Sequence, residues 1–237
     1  MQADLRNFYE STLPYSWREN LYRLTKLNYY RFFTTNADRD RLLQDFDNYQ
    51  CIFIHVPKTG GMSIRKTLFG KSNLYPHLTI RNYQRLLPEQ KVNGYYKFAF
   101  VRNPWDRLVS AYSFLRAGGL NERGKRWESQ LSKYQSFDCF VKDWVNPRNV
   151  QKHIVLVPQS EFVCDVRGNI AVDYLARFEQ FNLDFEQIQT KLNTNFALKH
   201  INRSQRQDYR DYYTDESRAI VEKVYARDII NFDYQFD

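Results

Sequence analysis

The chain has 237 residues, 43% of them apolar, with 18 Phe and 18 Tyr; this is enough apolar material for the core of one domain and excludes a disordered chain. A formal net charge of +8 suits an anionic ligand. No apolar run approaches the ~18 residues of a membrane span, and Cys51, Cys139 and Cys164 show no C-x-x-C spacing that would suggest a metal site or disulfide framework.

Residues 1–49 read as partly helical. Trp17, Leu21, Leu24 and Leu27 can share one helix face, with Arg18, Arg23 and Lys26 interspersed, which suits an extension packed on the domain better than a membrane anchor. The N-terminus lacks a secretory pattern, so a cytoplasmic location is expected.

Residues 51–56 form a short apolar run that reads as a buried strand. It ends in Pro57-Lys-Thr-Gly-Gly, and a helix opens at Ser63. The free amides of a helix start carry the positive end of its dipole and attract anions. Gly60 and Gly61 let backbone approach a ligand, Lys58 adds positive charge, and Thr59 and Ser63 add hydroxyls. An ordinary strand–turn–helix connection is the alternative; lysine before the glycines and serine after them favour a phosphate or sulfate site. This is not the nucleotide-triphosphate loop, whose lysine follows the last glycine.

A second strand, residues 96–101, is expected parallel to the first. It ends in Arg102, where a magnesium-dependent phosphotransferase would be expected to place an aspartate. Asn103 can cap, and Pro104 can begin, a helix over 104–116. Trp105, Leu108, Val109, Tyr112 and Leu115 share its apolar face, while Arg107, Ser110 and Phe114 lie on another. Arg102 and Ser110 can grip one anion between them; Arg107 stands equally as a surface residue or a functional one. Further along, 118–130 reads as a mobile polar loop, a candidate acceptor-side lid, and 136–145 as a helix. Residues 161–172 read as a hairpin turning at 167–169, and 181–192 and 214–230 as helices. Alternating strands and helices predict an α/β fold with a central parallel sheet covered by helices on both faces. No pattern of a known nucleic-acid-binding module is present, so nucleic acid is not the expected partner.

Two stretches carry a family resemblance. Phe53-Ile-His-Val-Pro-Lys-Thr-Gly-Gly-Met-Ser63 resembles the 5′-phosphosulfate loop of sulfotransferases that use 3′-phosphoadenosine 5′-phosphosulfate (PAPS), of the carbohydrate type. Phe100-Val-Arg-Asn-Pro-Trp-Asp-Arg-Leu-Val-Ser-Ala-Tyr112 resembles their 3′-phosphate motif. Val157-Pro-Gln-Ser-Glu-Phe-Val-Cys-Asp165, Arg177-Phe-Glu179, and the segment from His200 through Tyr213 resemble the bacterial branch more weakly. The resemblance covers roughly residues 50–232, leaving 1–49 as an extension of a single 1–237 domain. It departs at Met62, where the family usually has Thr or Ser.

The resemblance implies a P-loop-like sulfotransferase fold and sulfuryl transfer from PAPS to a carbohydrate hydroxyl, leaving PAP and needing no metal. It assigns Lys58, Thr59, Gly60, Gly61, Met62 and Ser63 to the donor's phosphosulfate and Arg102 and Ser110 to its 3′-phosphate. Lys58 is the choice for stabilising the leaving phosphate. Arg203 and Ser204, within a run of interleaved basic and aromatic residues, are candidates for the adenosine end, with a plain surface loop as the alternative. Among the histidines, His77 is the favoured general base, since an imidazole titrates in a suitable range. His153 is an acceptor-side candidate or substitute base, and His55 reads as structural. An atypical nucleotide or small-molecule kinase and a non-catalytic PAP-binding protein are the rival readings.

Overall fold

The structure, a computed structural model, describes residues 36–70, 77–119, 122–198 and 207–237. Three parallel strands form its sheet, in the order β1 (Cys51–Ile54), β2 (Tyr96–Val101), β3 (Tyr174–Arg177). Cys51 pairs with Tyr96 and Ile54 with Ala99; Phe98 pairs with Tyr174 and Val101 with Arg177. Parallel strands covered on both faces read as continuous apolar runs. Cys51-Ile-Phe-Ile and Phe98-Ala-Phe-Val are such runs, and all eight residues are fully buried.

Helices surround the sheet, as the alternation predicts. They are α1 (Asn36–Tyr49), α2 (Gly61–Leu68), α3 (Ile80–Leu86), α4 (Glu89–Gly94), α5 (Pro104–Arg116), α6 (Glu122–Leu131), α7 (Phe137–Trp144), α8 (Ser160–Val163), α9 (Phe181–Leu192), α10 (Asp215–Val224) and α11 (Ala226–Phe232). Asn103 caps α5 by accepting from the N–H groups of Trp105 and Asp106, with Pro104 in its first turn. The part of the N-terminal extension described here, α1, sends Phe46 into the core against Phe69 and Tyr83. Among the described residues, no helix is long and apolar enough to cross a membrane.

Several elements differ from the sequence-based expectation. The polar stretch over 118–130 contains a helix, α6, because Leu131 is buried and Trp127 packs edge-on against Trp144. Tertiary docking of this kind supplies most of a short helix's stability. The expected hairpin is a turn closed by a single antiparallel bridge, Cys164 to Ile170, with Gly168 at φ 91°. Its first arm is instead helical: the buried Asp228 carboxylate accepts from the N–H groups of Gln159 and Ser160 (2.7 and 2.8 Å) at the start of α8. The C-terminal helix is broken at Tyr225, whose hydroxyl donates to the Leu156 carbonyl 2.7 Å away. β3 was not anticipated. Tyr-Leu-Ala-Arg is short, and pairing with β2 rather than intrinsic propensity makes it a strand.

Candidate active site

All three strands run in the same direction, so the turns that follow them gather at one end of the sheet. The turn after β1 is tight and internally bonded. Thr59 Oγ1, fully buried, donates to the Val56 carbonyl (2.9 Å), and Ser63 N–H donates to the Gly60 carbonyl (2.9 Å). The expectation that the Thr59 hydroxyl donates to a ligand is thereby corrected, because its proton is committed to the turn. Lys58 and Gly60 adopt left-handed backbone, at φ 70° and 77°. No side chain caps α2, and no acidic residue occupies its first turn, so its positive end is left uncompensated by either.

The two glycines are required first by the protein's own packing. A Cβ on Gly60 would lie 2.6 Å from the Phe181 ring, and one on Gly61 only 2.1 Å from the His55 ring. Room for a ligand, the reason expected from sequence, is therefore not what these contacts show. The Met62 side chain is 43% exposed, with its sulfur 3.6 Å from Arg65 Nη1, so only its backbone belongs to the turn.

The segment after β2 reaches this turn directly. Arg102 Nη1 donates to the Lys58 carbonyl at 3.2 Å, Nε pairs with Asp106 at 2.5 Å, and the guanidinium lies 4.1 Å from the Phe178 ring centre. Phe178 follows β3, so the ends of all three strands meet at Arg102. Along α5, Arg107 Nε donates to the Pro57 carbonyl (3.0 Å), and the Phe114 ring lies 4.2 Å from Lys58 Nζ. Positions 107, 110 and 114 fall on one helical stripe, so half-buried Ser110 stands on the face turned toward the Lys58 turn. Arg107 is not a surface residue; it is 1% exposed.

Two histidines meet behind the turn. The His55 and His77 ring centres are 4.2 Å apart, and His77 Nδ1 lies 2.7 Å from the His55 carbonyl oxygen. That oxygen can only accept, so Nδ1 carries the proton and Nε2 keeps its lone pair. Burial pushes the His77 pKa down to about 4; the bond to His55 opposes this, and the charges of Arg65, Arg107 and Lys58 reinforce it. His153 has the reverse tautomer. Its Nδ1 accepts from the Val155 N–H (3.3 Å), which leaves the neutral ring's proton on Nε2, and its ring packs edge-on against Trp127. Arg203 and Ser204 lie outside the described residues, as does His200.

Supporting residues that sequence reasoning did not single out complete the arrangement. The fully buried Gln159 side chain accepts from Arg102 N–H (2.9 Å) and donates to the Arg102 carbonyl (2.7 Å). This extends the sheet-like pairing of β2 past its last residue. The carboxylate of Glu179, just beyond β3, accepts from Asn103 N–H (2.6 Å) and from the Tyr234 hydroxyl (2.9 Å). Both residues lie in segments whose resemblance was noted, and that was the only available signal; their partners are 57 and 76 residues away in sequence.

This arrangement can bind an anion at the α2 start beside a lysine, and can present an imidazole lone pair nearby. A family model described as "Sulfotransferase family" matches residues 41–235. Comparison with curated proteins and with solved structures gives no match.

Proposed function

The chain belongs to the sulfotransferase family, and on that premise we propose that it transfers the sulfuryl group of PAPS to a hydroxyl of a carbohydrate acceptor. The observation that carries this reading is the bond from Arg102 Nη1 to the Lys58 carbonyl. A donor bearing a 5′-phosphosulfate and a 3′-phosphate needs the two motifs side by side. The donor set also fits: an uncapped helix start, a lysine, and an arginine bonded to the same turn.

PAPS, when bound, supplies an activated sulfuryl group on a phosphate leaving group. The backbone amides of Thr59, Gly60, Gly61 and Met62, with Ser63, would hold the phosphosulfate, and the Lys58 ammonium would stabilise negative charge on the leaving phosphate. Arg102 and Ser110 would hold the 3′-phosphate, and Arg203 and Ser204 are the candidates for the adenosine end. His77 Nε2 would take the proton of the acceptor hydroxyl as general base. His153, with its proton on Nε2, serves as a donor that orients the acceptor rather than as the base. We assign the catalytic core of one domain to residues 50–232; of the extension before it, α1 packs on the core through Phe46, and residues 1–35 lie outside the described residues.

The test is transfer of radiolabelled sulfate from PAPS to a panel of polysaccharides, oligosaccharides and small alcohols. Label appearing in a saccharide is the expected result. PAP binding without transfer to any acceptor would favour the non-catalytic reading, and magnesium-dependent ATP turnover would favour a kinase.

A further inference from the structure

Two successive carbonyls of the donor turn are held by arginines of the segment after β2. Arg107 Nε donates to Pro57, and Arg102 Nη1 donates to Lys58. In a trans peptide the N–H points opposite to the C=O. Holding these oxygens toward the arginines therefore turns the N–H groups of Lys58 and Thr59 the other way. Left-handed backbone at Lys58 and Gly60 curls the same turn, the kind of bend that gathers amide donors around an anion. Arg107 also reaches a third segment: Nη2 donates to the carbonyls of Val155 (3.2 Å) and Val157 (2.8 Å), just beyond His153.

Building on the sulfuryl-transfer reading above, we infer that Arg107 is a positioning residue that locks the donor turn and the His153 segment into one register. Its rigid fork spans carbonyls from separate parts of the chain, in a site where it is almost wholly buried. A lysine keeps the charge but offers a single point of attachment, so it cannot hold these directions together. The donor-binding amides and the acceptor-side histidine are thus aligned by one side chain that touches neither substrate.

The experiment compares wild type with Arg107→Lys, and with Arg107→Gln as the second variant should the first not fold. PAP affinity is measured by calorimetry, and transfer kinetics are normalised to PAP-binding sites. Expected are a PAP affinity about tenfold weaker and an acceptor kcat/KM about 100-fold lower per site, since small misplacements carry penalties of this order. Guanidinium ion at millimolar concentration, but not ammonium, should restore part of the rate to Arg107→Ala. Constants per site equal to wild type, even with a lower Tm, would reduce Arg107 to a structural role and overturn the inference alone. A wild-type protein that binds no PAP would overturn the donor reading and this inference with it.

Discussion

The Nδ1–H of His77 donates to the main-chain oxygen of His55 across 2.7 Å, and the two rings lie in contact. One bond thus fixes the tautomer of the proposed base and ties it to the residue that enters the donor turn. Replacing His77 by Ala should lower kcat by about 10²- to 10⁴-fold, the usual worth of a positioned base, while PAP affinity stays near wild type. PAP binding that falls as far as turnover would show that His77 serves the donor and not the proton.

The pH dependence follows from the same residue. With its pKa lowered to about 4, His77 is a free base through neutral pH. The acid limb of kcat/KM, which reports free enzyme, should therefore fall near pH 4 and not near 6.5. A polyanionic donor beside the imidazole favours the protonated ring, so the acid limb of kcat should lie at higher pH than that of kcat/KM. For stability the sign is that of a depressed pKa. The unfolded chain binds the proton more readily, so this contribution is complete above pH ~6.5 and is lost as pH falls toward 4. His77→Gln should show a flatter stability profile across that window in chemical denaturation; parallel profiles would contradict the assigned shift.

Lys58 combines the charge proposed to meet the leaving phosphate with a left-handed backbone at φ 70°. Lys58→Ala should reduce transfer by about 10²- to 10³-fold, comparable to losing a donor to a developing oxyanion. Lys58→Gly should be as inactive, yet more stable than the alanine variant by about 1 kcal/mol, because glycine adopts that backbone without strain. Thermal melts of the two variants, with their turnover, separate the charge from the conformation.

Gly61→Ala drives a Cβ into the His55 ring, 2.1 Å from Cδ2 and 2.3 Å from Nε2. The expected cost is about 1–3 kcal/mol, as for other overpacked sites. Activity should fall with it, because His55 carries the carbonyl that orients His77. Removing the ring in the double variant Gly61→Ala/His55→Ala should recover part of the lost stability relative to His55→Ala alone. Strict additivity in a denaturation cycle would show that the clash is relieved elsewhere.

Arg102 braces the Lys58 carbonyl, and under the proposed function it has a second task, to meet the 3′-phosphate. Arg102→Ala should weaken PAP by about 10- to 100-fold, and adenosine 5′-phosphate, which lacks the 3′-phosphate, by a smaller factor. Equal losses in a calorimetric titration would leave only the bracing role.

Much of this was legible along the chain because it depends on local chemistry. The apolar run before Pro57 reads as a buried strand, and Cys51–Ile54 is one. The glycine turn with Lys58 marked the connection into α2, and Asn103-Pro104 marked the start of α5 at the observed residue. What misled was also local. The charged, glycine-bearing stretch around 118–130 has loop composition, yet Trp127 and Leu131 dock it as a helix. Thr59 reads as a ligand donor until the Val56 carbonyl is seen to take its proton.

The sequence by itself determined the strand–turn–helix units and the family, since these follow from short-range patterning and from contiguous motifs. Only the tertiary structure decided that Arg107 is buried under the turn, that Gln159 continues the pairing of β2, that Tyr174–Arg177 is a strand, and which nitrogen of His77 is free. Each of these rests on a hydrogen bond to a partner distant in sequence, and such partners are chosen by the packing of the whole sheet and its helices, which no local pattern encodes.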